Sequence, residues 1–289
     1  MKYIWHILVM INIYTALASS LNLAAGYAGL LSLCHAAFYG IGAYATTLLM
    51  MKVGLGFLPA LAIAMPITAA LSLIIGIPSL RLHGDYFVLA TLGFQIIAFS
   101  ILYNWVDLTR GPFGISGIPT PHVFGFEIDN VFLYFVFSGL LVIASLGAMW
   151  LLVSSPFGRL LRAVRDDEIA AAALGKNVPR VKTTAFALSA AFAAVPGALF
   201  AGYIRYIDPT SFTLAEAIFI LSIVVIGGAG DFWGPIAGAV ILVMLPEALR
   251  FLQIPDSVAA NLRQIIYGLL LVVLMRVRPQ GFLGKYRFE

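Results

Sequence analysis

One short stretch gathers charge in a chain that otherwise holds little of it. Lys, Arg, Asp and Glu together supply 30 of 289 residues, and "RAVRDDEIAAAALGKNVPRVK", Arg162–Lys182, contains eight of them. Asp166, Asp167 and Glu168 lead into a helix-forming run, Ile169–Leu174, which Gly175 and Lys176 follow. Acids at a helix start and a cation at its end both complement the helix dipole, and glycine is the usual residue just past the end. The spacing predicts a helix of about two turns, Asp166–Leu174, with Asn177 and Pro179 opening the next one. A helix this short is marginal in water. It gains stability by docking, and Ile169, Ala172 and Ala173, spaced i, i+3 and i+4, offer an apolar face for that purpose. Arg165 and the three acids would rim this face. That is recognition chemistry rather than bond-making chemistry, and its plain alternative is a solvated connector.

Other polar groups stand alone in apolar runs. "NLAAGYAGLLSLCHAAFYGIGAYATTLL" carries Asn22, Ser32 and His35 among Gly26, Gly29, Gly40 and Gly42. Small residues let membrane helices approach closely, and a broken helix at bilayer depth is tolerated where it is buried in protein or lines a cavity. Asn22, Ser32, His35, Gln95 and Glu216 are therefore the candidates for a solute pathway. Gln95 could equally bond a neighbouring helix, and Glu216 could reach headgroups at its end of a span. "GGAGDFWG" lacks the strand-turn-helix setting and the lysine of a phosphate loop, so no nucleotide is expected on this chain. The four histidines show no metal-ligand spacing. No nucleophile elbow or catalytic acid pair is present. Catalytic residues, metal and cofactor are all expected to be absent from this polypeptide.

The elements that must position these groups follow from composition. At 62% hydrophobic and 10% charged residues, the chain cannot build a water-facing surface, since soluble domains run near 25% charged. The net charge of +4 reads as Lys and Arg kept on loops inside the cell, not as a nucleic-acid patch. Cys34 is the single cysteine, so no internal disulfide forms. A helix needs about 20 apolar residues to cross about 30 Å of hydrocarbon. Qualifying runs are Tyr3–Leu21, Phe57–Ile77, Tyr86–Tyr103, Val131–Val153, Thr184–Tyr203, Ala215–Ile226, Pro235–Leu252 and Gln264–Met275, with Gly26–Met50 as a possible discontinuous or re-entrant piece. The expectation is an all-α, polytopic membrane protein of about 8–9 spans, a single domain over 1–289 with a loop at about 154–183. Residues 1–20 have the look of a signal peptide, but another apolar run follows within a few residues, and a first membrane helix is the reading kept. Arg159, Arg162, Arg165, Lys176, Arg180 and Lys182 place the 154–183 loop in the cytoplasm, together with Arg276, Arg278, Lys285 and Arg287 of the tail, and put Asn104–Asn130 outside. The side of Lys2 depends on whether Gly26–Met50 spans fully.

With these stretches in view, the chain resembles a known family. "SPFGRLLRAVRDDEIAAAALGKNVPRVKTTAFALSA", "SLNLAAGYAGLLSLCHAAFYGIGAYATTLLM", "LRLHGDYFVLATLGFQII" with "LTRGPFGISGIP", and "GGAGDFWGPIAGAVILVMLPE" followed by "IYGLLLVVLMRVRPQGFLG" are similar, in order and over nearly the whole chain, to the LivM type of permease subunit from bacterial ABC importers of branched-chain amino acids. The resemblance implies alternating access across the inner membrane. It also implies several partners: a homologous permease of the LivH type, two ATPase subunits that use the ATP, and a periplasmic binding protein that captures the amino acid. By resemblance, Asp166–Leu174 is the coupling helix seated in an ATPase groove, with Glu168 and Gly175 at the acidic and glycine landmarks of the importer loop. Relatives in the superfamily carry urea, short amides and sugars. An ion-coupled secondary transporter is the more distant alternative.

Overall fold

Long runs of Leu, Ile, Val, Ala and Phe must satisfy their own backbone in hydrocarbon, and a helix does so within one segment. A computed structural model describes residues 2–80, 82, 84–123, 126–250, 268, 269, 272, 273 and 281–283. In chain order the helices begin with α1 (Lys2–Asn22), which continues as a π-helical turn (Leu23–Tyr27), α2 (His35–Lys52), α3 (Phe57–Ser79) and α4 (Asp85–Asn104). Then follow α5 (Val106–Thr109), α6 (Val131–Ser154), α7 (Pro156–Asp166), α8 (Glu168–Ala173), α9 (Val178–Ile204), α10 (Leu214–Gly227) and α11 (Gly234–Arg250). Among the described residues, four two-residue strands, β1 (Ile115–Ser116), β2 (His122–Val123), β3 (Phe126–Glu127) and β4 (Tyr206–Ile207), add only short ladders to an all-α fold.

Among the described residues, five helices are long and apolar enough to cross a membrane: Tyr3–Tyr27, Phe57–Ser79, Asp85–Asn104, Val131–Ser154 and Val178–Ile204. Burial sorts them. The first and last are 67% and 72% buried and form the centre, whereas α3, α4 and α6 are only 28–33% buried. The outer three turn Ile74, Leu89, Leu140 and Ile143 outward, an arrangement that suits lipid and not water. Helix α2 lies tight against α9. A Cβ added to Gly42 would sit 2.3 Å from Ala194 Cα, and one added to Gly197 would sit 2.3 Å from Tyr39 O. Small residues set this crossing, as in membrane helix pairs generally.

The expected spans at Phe57, Tyr86 and Val131 agree with α3, α4 and α6. Others shift for identifiable reasons. The first helix does not stop at Leu21, because Asn22 sends its side chain sideways to another element and the backbone winds on to Tyr27. The segment Gly26–Met50 is therefore divided: Gly26 belongs to the first helix, 28–34 is irregular, and α2 starts at His35. Helix α9 begins at Val178, as Asn177 and Pro179 imply, and runs unbroken into the apolar span from Thr184; the Asn177 side chain accepts from Arg180 N at 3.1 Å. Most of the expected span Gln264–Met275 lies outside the described residues. Arg81 and His83, which the same charge rule puts on the cytoplasmic side, and Arg276, Arg278, Lys285 and Arg287 of the tail also lie outside the described residues.

Contacts along α1 assign the two faces of the bundle. Near its start, the Trp5 ring meets Phe132 edge-on at 4.8 Å, and His6 Nδ1 lies 2.8 Å from Tyr203 Oη. Near its end, Gly26 O meets α7. Lys2 thus shares a face with the 104–130 segment, opposite the 154–183 loop, and α2 returns toward that far face. The 104–130 segment carries strand pairings that its turn signals do not announce. Strand β1 pairs antiparallel with β4, Ile115 opposite Ile207, and so ties this segment to the α9–α10 connection, while β2 and β3 form a hairpin.

Candidate coupling site

The loop between α6 and α9 holds two helices, not one. Ser155 Oγ accepts from Phe157 N at 3.1 Å and Gly158 N at 3.4 Å, and Pro156 occupies the first turn. Both are helix-start signals, and they launch α7, an element absent from the sequence expectation. Asp166 ends α7. The anticipated helix Asp166–Leu174 begins later for that reason. Asp167, in extended backbone, is its N-cap and accepts from Ala170 N at 2.9 Å. The C-terminus closes as the glycine implied. Gly175 has φ +76°, its N–H bonds Ala172 O at 2.9 Å, and Lys176 N–H bonds Ala171 O at 3.1 Å. This pair of bonds is the Schellman closure, which favours glycine at the left-handed position.

The apolar face of α8 has no cover among the described residues. Ile169 is 84% exposed and Leu174 79% exposed, with Ala172 and Ala173 exposed beside them. Leu174, the C-cap residue, extends this patch beyond the i, i+3, i+4 spacing that marks Ile169, Ala172 and Ala173. Ala171 turns inward and is buried. Glu168 forms an ion pair with Lys182 of α9, which moors the short helix to a central one. Asp166, Asp167, Lys176 and Arg180 stay exposed around the patch.

Arg165 behaves differently from its neighbours. Its Nη1 donates to Gly26 O at 2.7 Å, Nη2 lies 2.8 Å from Asp166 Oδ1, and Nε donates to that same oxygen at 2.9 Å. The side chain is 11% exposed, so the guanidinium points into the bundle and not toward the α8 patch. It touches the π-turn at the place where the first helix ends. Asn22, one turn earlier, accepts from Gly230 N at 2.9 Å and donates to Asp231 O at 2.8 Å. These bonds tie α1 to the connection between α10 and α11. Gly26 permits the approach, because a Cβ there would sit 2.3 Å from Gly230 N. Phe282 N and Leu283 N in turn bond Ile226 O and Gly227 O, at 2.9 and 3.0 Å. Four chain segments therefore meet at one node on the loop face.

The remaining pathway candidates cluster around the 28–34 break, with one exception. Leu33 N donates to Thr91 Oγ1 at 3.1 Å, Cys34 N to Ser32 Oγ at 3.3 Å, and Ala37 N to Gln95 Oε1 at 2.8 Å. Gln95 Nε2 donates to Phe212 O at 2.7 Å, so both ends of its amide are engaged. Ser20 Oγ donates to Leu17 O, which leaves its oxygen to accept from His35 Nε2 at 2.7 Å. Ser32, His35 and Gln95 are each 1% exposed, and Asn22 is 2% exposed. Together these side chains supply the partners that an irregular membrane backbone needs. Glu216 stands apart, half-buried, and accepts from Tyr14 Oη at 2.8 Å.

Comparison with known proteins places this geometry in context. The family described as "Branched-chain amino acid transport system / permease component" matches residues 3–275. The high-affinity branched-chain amino acid transport system permease protein LivM of Salmonella typhimurium is 40% identical over 97% of this chain and 70% of its own length. The LivM protein of Escherichia coli is also 40% identical, over 95% and 68%. The Escherichia coli permease protein LivH is 25% identical over 96% and 92%. No solved structure matches the chain.

Proposed function

Because the chain belongs to the family of branched-chain amino acid transport permeases, we propose that it is the membrane-spanning subunit of an ATP-driven importer of leucine, isoleucine and valine. The family is one of transport permeases and not of enzymes. In this reading the chain sits in the inner membrane of a bacterial cell beside a homologous permease of the LivH type. Two ATPase subunits bind and hydrolyse the ATP, and a periplasmic binding protein delivers the amino acid to the far face. The chain itself binds no cofactor.

The observation that carries the reading is α8. It is a six-residue helix capped at both ends, with Ile169 and Leu174 projecting from the loop face. A short amphipathic helix that offers anchors to a groove is a common recognition mode, and the partner that fits is the ATPase. Behind it, Arg165 joins α7 to the end of the first helix, and Asn22 joins that helix to the α10–α11 connection. A displacement of α8 would reach both discontinuous regions through packed elements and hydrogen bonds, which is the kind of contiguous route that coupling needs. Asn22, Ser32, His35 and Gln95 would act as the braces of the moving break. Glu216, with Tyr14, is the polar pair we place closest to the solute's route. The binding protein selects the amino acid, so the route needs no tight site.

Reconstitution tests the reading. Proteoliposomes that hold this chain, its LivH-type partner and both ATPases should accumulate leucine only when ATP and the binding protein are present. Leucine uptake by this chain alone, driven by an ion gradient, would overturn it.

A further inference from the structure

Helices α2, α3 and α4 leave a gap between them. Between them runs a crevice of about 580 Å³, well inside the range of about 300–1,000 Å³ typical of small-molecule sites. Its lining includes Ile41 and Leu48 of α2, Leu71 of α3, and Ile101 of α4. Lys52, in the last turn of α2, is the one charged side chain on its wall among the described residues. Lys52 is exposed and enters none of the ion pairs among those residues. Trp105, just past the end of α4 and 53% exposed, lines the crevice as well. Ile74 and Ile101, 69% and 49% exposed, mark its open side as part of the lipid-facing flank of the bundle.

The charge pattern selects the occupant. A free amino acid carries an ammonium that needs a carboxylate, and the crevice wall offers none among the described residues. A neutral partner helix would leave Lys52 without an opposite charge. A long apolar trough with one cation at its end matches an amphiphile with an apolar tail and a single anionic head. Tryptophan favours the headgroup level of a bilayer, and a lysine can lay its stem on apolar surface while its ammonium reaches a phosphate. We propose that this crevice binds an anionic phospholipid, one acyl chain lying along α2 and α4 and its phosphate paired with Lys52. The inference rests only on the membrane-spanning architecture and is independent of the transport partners.

Native mass spectrometry tests it on the full-length chain, released from mixed micelles that contain equal phosphatidylglycerol and phosphatidylethanolamine. Wild type should retain one phosphatidylglycerol in preference to phosphatidylethanolamine by about fivefold, as one added lysine–headgroup attraction implies. Lys52→Ala should erase the preference. Ala45→Trp, which fills the trough, should lose both lipids, while Leu140→Trp on the outer flank of α6 should change neither. Equal retention of the two lipids by wild type, or a preference that survives in Lys52→Ala, overturns the proposal. A photoreactive benzoylphenylalanine at Ile101 provides a test that needs no filled crevice. In native membranes it should cross-link to phospholipid, and capture of a polypeptide, including a second copy of this chain, overturns the proposal equally.

Discussion

Ile169 places 84% of its surface in solvent, so its replacement disturbs little within the chain. Ile169→Asp should alter stability by no more than about 0.5 kcal/mol and leave membrane insertion intact. In a partner's apolar groove the same carboxylate would lose its water, a cost of several kcal/mol. The expected outcome is that the ATPase no longer co-purifies and ATP-driven uptake falls to background; normal uptake with the ATPase still bound would remove α8 from the coupling role. Arg165 calls for a different result, because its guanidinium meets Gly26 O and not the exposed patch. Loss of a hydrogen bond to a charged group costs about 1.5–3 kcal/mol. Arg165→Gln should therefore leave the complex assembled and ATP hydrolysis running, while leucine moved per ATP drops by about tenfold or more. Paired assays of hydrolysis and uptake check this. The two residues differed in legibility for a plain reason. Ile169 follows from local helical spacing, whereas the partner of Arg165 lies 139 positions away, and no spacing within a loop can reveal that.

Elements show the same division between local and distant causes. The end of α8 was readable because a left-handed residue after a helix is a local demand, and glycine meets it. Gly175→Val would place a β-branched side chain at φ +76°, which costs about 1–2 kcal/mol. No atom stands within 4 Å of the added Cβ, so the strain stays in the turn. We expect normal expression, a frayed α8 and reduced affinity for the ATPase, measured by co-purification across salt or detergent washes. Helix α7 has its start signal in Ser155-Pro156, but its end is set by Asp167 turning to extended backbone as the N-cap of α8, which no residue within α7 announces. The course of the first helix was not readable. Asn22 and Gly26 look like helix-breaking residues in sequence, yet they are the means by which an unbroken helix accepts the α10–α11 connection. Gly26→Ala should force these elements apart and lower the thermal midpoint of the purified protein by several degrees, in keeping with about 1–3 kcal/mol of overpacking. An unchanged midpoint would mean that the node tolerates the methyl.

At the scale of the whole molecule, the fold class and most spans were written in composition, since the five long apolar helices among the described residues have no other solvent to face. The relation between the faces was not, because it depends on whether 28–34 reverses the chain, and that in turn depends on side chains from α1 and α4 that complete its hydrogen bonds. The structure puts Lys2, the β1–β4 ladder and the 104–130 segment on one face, with α7, α8 and the α10–α11 connection on the other. Cysteine labelling can read this arrangement directly, because Cys34 is the single native cysteine and is fully buried, so background labelling should be negligible. Lys176→Cys, in the exposed turn after α8, should react with an impermeant maleimide only after cells are opened. Phe113→Cys, at a position 80% exposed on the opposite side, should react in intact cells. If Lys176→Cys reacts from outside instead, α8 faces away from any cytoplasmic ATPase and the force route from α8 through Arg165 to Gly26 loses its source. Reaction of both positions from the same side would contradict the fold itself, since contacts along α1 separate them by the thickness of the bundle.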